Sequence, residues 1–114
     1  MKFPITIAAI LLVLVPTAAI SEPDLAQARQ TFNQMCAGCH GYRGDGGEGH
    51  RGGFSPHVST LANKQYMSEV PDDYLFLIIK KGGAYMGKIA TMPAWEPRLT
   101  DEEIRSLVAY IRTF

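Results

Sequence analysis

Two cysteines, Cys36 and Cys39, lie two residues apart and are followed directly by His40. The run Cys36-Ala37-Gly38-Cys39-His40 is typical of c-type haem attachment. In that arrangement the two thiols form thioethers with the vinyl groups on one edge of the porphyrin. The next residue then stands over the iron and binds it through an imidazole nitrogen. A chain built around this motif buries one covalently attached haem c as a large part of its own core.

Three other uses of these cysteines compete with haem attachment. A thioredoxin-type redox pair requires a strand before the motif and a helix after it, whereas here a helix precedes and the glycine-rich stretch 41–53 follows. A zinc site from Cys36, Cys39, His40 and His50 is chemically possible, although adjacent Cys39 and His40 point in different directions. A disulfide is the third alternative, because exported proteins commonly form them.

The second axial ligand of the iron is the other residue that the sequence must supply. We expect it to be Met92, because Pro93 restricts Met92 to extended conformations from which its thioether reaches sideways. Met86 is the main rival, since glycines at 82, 83 and 87 indicate a flexible loop around it. The remaining candidates are Met67 and, for a bis-histidine site of lower potential, His50 and His57. Most methionines are core residues, which is the plain alternative for Met92.

The first 21 residues have the layout of a secretory signal peptide. Lys2 gives a positive start, residues 3–15 are almost wholly apolar, and small residues follow up to Ser21. We therefore expect cleavage near residues 19–21 and a mature domain over residues 22–114, located in the periplasm. An uncleaved membrane anchor is the competing interpretation, although proline and threonine interrupt the apolar run.

The remaining chain has the length of one domain. The full sequence has 11 basic and 11 acidic residues, and this balance argues against a nucleic-acid partner. Helices are predicted over residues 25–37, 72–81 and 101–112, with an N-cap at Asp24 and a capping box formed by Thr100 and Glu103. Arg105 and Arg112 are expected to face water. No strand pattern competes, so the predicted fold is all-α.

These motifs, taken in order, resemble those of the class I cytochromes c, and most closely the small bacterial haem domains that also serve as subunits of oxidases and dehydrogenases. The resemblance covers nearly all of the mature chain. It is carried by Phe32, by the run from Cys36 to His40, by segment 74–83, by Met92-Pro93-Ala94-Trp95 and by segment 99–111. It implies a class I cytochrome c fold of about three main helices wrapped round the haem. It also implies that the first and last helices cross at right angles, with Ala28 and Phe32 against Leu107 and Tyr110. In members of the family, the loop that accepts the Nδ1–H of the haem-binding histidine often has a proline shortly before a leucine. Segment 56–61 is the corresponding part of this sequence.

An iron with both axial positions filled by His40 and Met92 offers no site to a substrate. We therefore expect an electron-transfer protein cycling between Fe(II) and Fe(III), not an enzyme. Histidine–methionine ligation raises the reduction potential. The expected partners are redox proteins, with the chain a monomer if it diffuses freely. Two alternatives are a haem subunit docked on a larger, membrane or multi-subunit oxidoreductase and a gas-binding protein with an open iron site.

Overall fold

The computed structural model describes residues 1, 12–16, 19–46 and 60–114. These residues form helices and no strand, which confirms the all-α fold. The helices are α1 (Leu25–Met35), α2 (Ala37–His40), α3 (Lys64–Glu69), α4 (Asp72–Lys81) and α5 (Asp101–Ile111), with a 3₁₀ turn at Ala84–Met86. None of the helices in the described ranges has the length and apolar character that spanning a bilayer requires.

The predicted N-terminal caps are confirmed at α1 and α5. The Asp24 side chain accepts a hydrogen bond from the Gln27 amide at 2.9 Å, which satisfies one free donor of the first turn of α1. At α5, the Glu103 amide donates to Thr100 Oγ1 at 3.2 Å and the Thr100 amide donates to the Glu103 carboxylate at 2.8 Å. Each of these reciprocal bonds pairs a backbone amide that the helix itself leaves without an acceptor.

Helix α4 also has the predicted bounds. Its first turn carries Asp72 and Asp73 and its last turn Lys80 and Lys81, so the charges at both ends oppose the helix dipole. Gly82 ends the helix with a φ of 85°, a conformation that glycine adopts without the steric cost other residues meet. Local sequence signals therefore suffice to define this helix.

Two features of the helical frame differ from the prediction. The first helix ends at Met35, with Cys36 as its C-cap at a φ of −114°, and the short helix α2 follows. Helix α3 was not predicted; its N-cap is Asn63, whose side chain accepts a hydrogen bond from the Tyr66 amide at 3.1 Å. Its six residues are too few to show a clear apolar stripe.

Helices α1 and α5 pack against each other, and α4 packs against α5. Phe32 on α1 is fully buried and contacts Tyr110 and Phe114, with ring centroids 5.5 Å and 5.1 Å away. Ala28, one turn earlier, is 3% exposed, and Leu107 of α5 belongs to the same core cluster. The expected pairing of first and last helices is confirmed, while their crossing angle stays a prediction.

Several predicted features lie outside the described residues. They include most of the proposed signal peptide, at residues 2–11 and 17–18, and the histidines His50 and His57. Most of segment 56–61 and the later part of the glycine-rich stretch 41–53 are also outside. The signal peptide, its cleavage near residues 19–21 and the domain boundary at residue 22 therefore stay predictions.

Candidate functional site

Cys36 joins α1 to α2, and Cys39 and His40 are the last two residues of α2. The amides of Cys39 and His40 donate to the Cys36 carbonyl at 3.1 Å and 2.9 Å, which winds the motif into nearly helical geometry. Ala37 is buried, whereas a Cβ added to Gly38 would meet no atom within 4 Å. Protein packing therefore requires a small residue at Ala37 and places no such demand on Gly38.

The two thiols differ in environment. Cys39 is exposed, whereas Cys36 is half-buried, and neither forms a disulfide. Burial, together with a smaller effect of the nearby Cys39, raises the pKa of Cys36 to about 11. Reactive redox cysteines have a lowered pKa that favours the thiolate. Cys36 instead lies where a neutral sulfur is favoured, and a thioether is such a sulfur.

Met92 lies on the other wall of the site, in a segment that is bonded to the end of α4. The Met92 carbonyl accepts a hydrogen bond from the Gly83 amide at 2.9 Å. The Trp95 amide donates to the Ile79 carbonyl at 3.0 Å, and the Glu96 amide donates to the Lys80 carbonyl at 3.2 Å. The last carbonyls of a helix have no partner within it. The Met92 segment supplies two of these missing donors and is thereby fixed against α4.

The glycines before this segment, from which we predicted a flexible loop, allow close packing. Gly82 and Gly83 are both buried. A Cβ on Gly82 would lie 2.9 Å from the Ala94 amide nitrogen, and a Cβ on Gly83 would lie 2.1 Å from the Ile89 carbonyl oxygen. Both distances are too short for any side chain. The paired glycines therefore let two backbone segments approach behind Met92.

Between the two walls lies a cavity of about 520 Å³. That volume falls in the range of about 300–1,000 Å³ typical of cofactor and ligand sites. Most of its lining is apolar, as such sites require. The apolar lining includes Phe32, Met35, Leu61, Met67, Val70, Leu75, Ile78, Ile79, Ile89, Pro93, Leu107 and Ile111.

The four residues predicted to bind the haem all line this cavity: Cys36, Cys39, His40 and Met92. The rival Met86 is half-buried and is not part of the lining. Met67 does line the cavity, and it is 6% exposed within the core. Thus one predicted set of residues converges on one space, although their roles as ligands stay predictions.

Other residues of the site could not be read from the sequence. Arg112 is exposed, as expected, and its guanidinium also donates to the carbonyls of Met67 and Val70 and pairs with Asp72 at 2.8 Å. It therefore fastens α5 to the junction of α3 and α4, next to the cavity wall that Met67 and Val70 form. Asn63, the N-cap of α3, was the one local signal for this part of the site.

The residues present fit a covalently held haem. An apolar cavity of adequate volume has two cysteine sulfurs on one wall, in surroundings that favour uncharged sulfur. An imidazole follows the second cysteine, and its Nδ1 is buried from solvent. A thioether faces the same space from the opposite segment. Among the described residues, no three His, Cys, Asp or Glu side chains are grouped so as to hold a metal ion by themselves.

Comparison with known proteins gives a consistent result. Residues 23–111 match the family described as "Cytochrome C oxidase, cbb3-type, subunit III". The chain is 29% identical over 111 residues to "Cytochrome c6, chloroplastic" of Chlamydomonas reinhardtii, covering 94% of this chain and 66% of that protein. It is 30% identical over 90 residues to "Cbb3-type cytochrome c oxidase subunit FixP" of Bradyrhizobium diazoefficiens, covering 79% of this chain and 27% of that protein. The chain therefore spans less than two thirds of the length of either relative.

Proposed function

Because this chain belongs to the family of cbb3-type cytochrome c oxidase subunit III, whose members carry covalently attached haem c, we propose that it is a periplasmic electron carrier with one haem held by His40 and Met92. Cys36 and Cys39 would form the two thioethers. The observation that carries the proposal is that these four side chains line one apolar cavity. When bound, the haem supplies an iron that alternates between Fe(II) and Fe(III).

The protein's own residues determine how that iron behaves. His40 would bind it through Nε2, leaving the buried Nδ1–H as a donor that orients the ring. The Met92 thioether favours the reduced state, and the apolar lining disfavours the extra charge of the oxidised state. With both axial positions taken, no position remains for a substrate. The chain would therefore carry electrons without being an enzyme itself.

A docked subunit is the second candidate, and the similarity to FixP favours it. That relative is by its name a subunit of a cbb3-type cytochrome c oxidase, and this chain matches 27% of it. On this alternative the same haem site would pass electrons within a larger oxidoreductase. Size-exclusion chromatography of native extract separates the two: a free carrier elutes at the size of a monomer, and a subunit elutes with a larger complex.

Export to the periplasm is the part of the proposal that rests on the sequence alone. N-terminal sequencing of native protein should begin near Ile20 or Glu22, with the protein in the soluble periplasmic extract. An intact Met1 in the membrane fraction would instead support the anchor.

The test of haem attachment uses the purified native protein. After acid–acetone extraction, the polypeptide should keep its haem and show the mass of the mature chain plus one haem. Release of the haem into acetone would contradict attachment through Cys36 and Cys39, whatever the axial ligands are.

The test of axial ligation compares two methionines in the same segment. Thioether ligation gives the oxidised protein a weak absorption band at the red end of the spectrum. Met92→Ala should abolish this band, lower the potential and open the iron to carbon monoxide, whereas the matched control Met86→Ala should keep the band. If Met86→Ala lost the band and Met92→Ala kept it, the assignment of Met92 as the axial ligand would be wrong. If the wild-type protein lacked the band and bound carbon monoxide readily, the proposal of electron transfer would give way to that of a gas-binding protein with an open iron site.

A further inference from the structure

Lys88 stands out among the side chains that surround the cavity. Of the described residues that line it, Lys88 alone carries an ammonium or guanidinium group. The rest of the lining is apolar, aromatic or weakly polar, apart from His40. Charged side chains that border a ligand cavity orient a ligand through its oppositely charged groups. The position of Lys88 therefore suits a negatively charged partner.

The described part of the chain supplies Lys88 with no such partner. The two lysines in the last turn of α4, by contrast, are paired: Lys80 with Asp101 at 2.7 Å and Lys81 with Glu96 at 2.8 Å. No ion pair with Lys88 is formed by any residue that the structure describes. The Lys88 side chain thus lies at the mouth of the cavity, in contact with solvent.

The backbone at Lys88 is fixed even though its side chain is exposed. The Lys88 amide donates to the Gly83 carbonyl at 2.8 Å. The next residue, Ile89, packs its carbonyl into the space that a Cβ of Gly83 would fill. Lys88 is therefore presented to the cavity by the same glycine contact that supports Met92.

Haem has two carboxylates, on the edge of the porphyrin opposite its vinyl groups. We propose that Lys88 binds one of these carboxylates and thereby raises the reduction potential, an inference that rests on the proposed function. Thioethers at Cys36 and Cys39 would hold the vinyl edge, so the carboxylates lie away from them. An ammonium–carboxylate bond neutralises a negative charge that otherwise favours Fe(III). The ammonium itself also disfavours the additional positive charge of Fe(III).

The test uses the haem-containing protein and measures the midpoint potential by spectroelectrochemical titration. Lys88→Gln should lower the potential, and Lys88→Arg should leave it close to wild type because the charge is kept. The matched control is Lys64→Gln, which removes the same charge from an exposed residue of α3 outside the cavity lining. Its shift should be clearly smaller, and smaller still in high salt, because salt screens exposed charges.

A Lys88→Gln shift no larger than that of Lys64→Gln would overturn the proposal, as would a Lys88→Arg protein that behaves like Lys88→Gln. A second measurement uses the wild-type protein and therefore does not depend on the folding of a variant. It records the infrared carboxylate bands of haem labelled with ¹³C at both carboxyl groups. Two distinct bands in wild type support one paired carboxylate, and two equivalent solvated carboxylates contradict it. Absorption spectra and acid–acetone extraction of the same samples report separately on haem attachment and on Met92. Failure of the proposed function is thereby distinguished from failure of the role of Lys88.

Discussion

The two walls of the cavity are built in different ways. The wall with Cys36, Cys39 and His40 is one short turn whose groups are consecutive in the chain and whose attachment to haem would be covalent. The wall with Met92 is assembled from two segments, held together by backbone hydrogen bonds and by the close approach at Gly83. The comparison teaches that the first wall is encoded locally and the second by tertiary contacts. Damage to the second should change ligation without releasing the haem.

The largest effect is expected from Gly83→Ala. The added methyl would lie 2.1 Å from the Ile89 carbonyl oxygen and 3.2 Å from Met92 Cβ, so the two segments must separate. We expect the free energy of unfolding to fall by about 3 kcal/mol, at the upper end for overpacking. The red absorption band of methionine ligation should weaken or vanish while the haem resists acid–acetone.

Gly87→Ala is the matched control for this change. Gly87 has a φ of 67° but open space around it, so alanine there costs only backbone strain, about 1–2 kcal/mol. If urea unfolding gave equal losses of unfolding free energy for the two variants, the close contact between Gly83 and Ile89 would not support the Met92 wall.

A smaller effect is expected from Ala28→Leu, which acts behind the first wall. Ala28 is buried where α1 packs against α5. A larger side chain there would overpack the contact and lower the free energy of unfolding by about 2 kcal/mol. On the proposed covalent attachment through the cysteine turn, the absorption spectrum should remain that of wild type. Arg29→Leu, a leucine on the exposed neighbour, is the control. A urea midpoint unchanged in Ala28→Leu would contradict the observed packing.

The substitution Arg112→Gln tests contacts on a third side of the cavity, next to Met67 and Val70. It removes the charged donor that holds the carbonyls of Met67 and Val70 and pairs with Asp72. Because the guanidinium is partly exposed, we expect a loss of about 1.5 kcal/mol, the low end for charged hydrogen bonds. The control, Arg105→Gln, loses a contact with the Phe76 ring, worth about 0.5–1 kcal/mol. Arg112→Gln should keep the methionine band, and its loss would show that α3 also positions Met92.

The smallest effect concerns pH. The hydrogen bond from Lys80 lowers the pKa of Asp101 below its ordinary value of 3.8. A lowered pKa in the folded state means that the pair stabilises the protein above about pH 4 and loses this contribution as pH falls through the folded-state pKa. Urea midpoints of wild type and Asp101→Asn should therefore differ slightly at neutral pH and converge in acid. A difference that persists at the lowest pH would assign the effect to packing.

The same contrast explains what the sequence could and could not predict. The bounds of α4 follow from Pro71, the charges at each turn and Gly82, all of which act locally. The run from Cys36 to His40 is likewise contiguous, so its placement at the cavity was expected. Gly83, by contrast, was interpreted as a source of flexibility, because its neighbour Ile89 is close only after folding. The contacts of Arg112 could not be predicted for the same reason, since its partners lie at the junction of α3 and α4.

The hydrogen bonds that hold the Met92 segment to α4 also bear on the speed of electron exchange. A ligand whose backbone is fixed on both sides moves little when the iron changes its oxidation state. The surrounding dipoles are likewise set in place by folding and need not turn with each transfer. On the proposed ligation, the nuclear rearrangement that accompanies each electron would be small. The glycine contact behind Met92 would then favour fast self-exchange as well as stability.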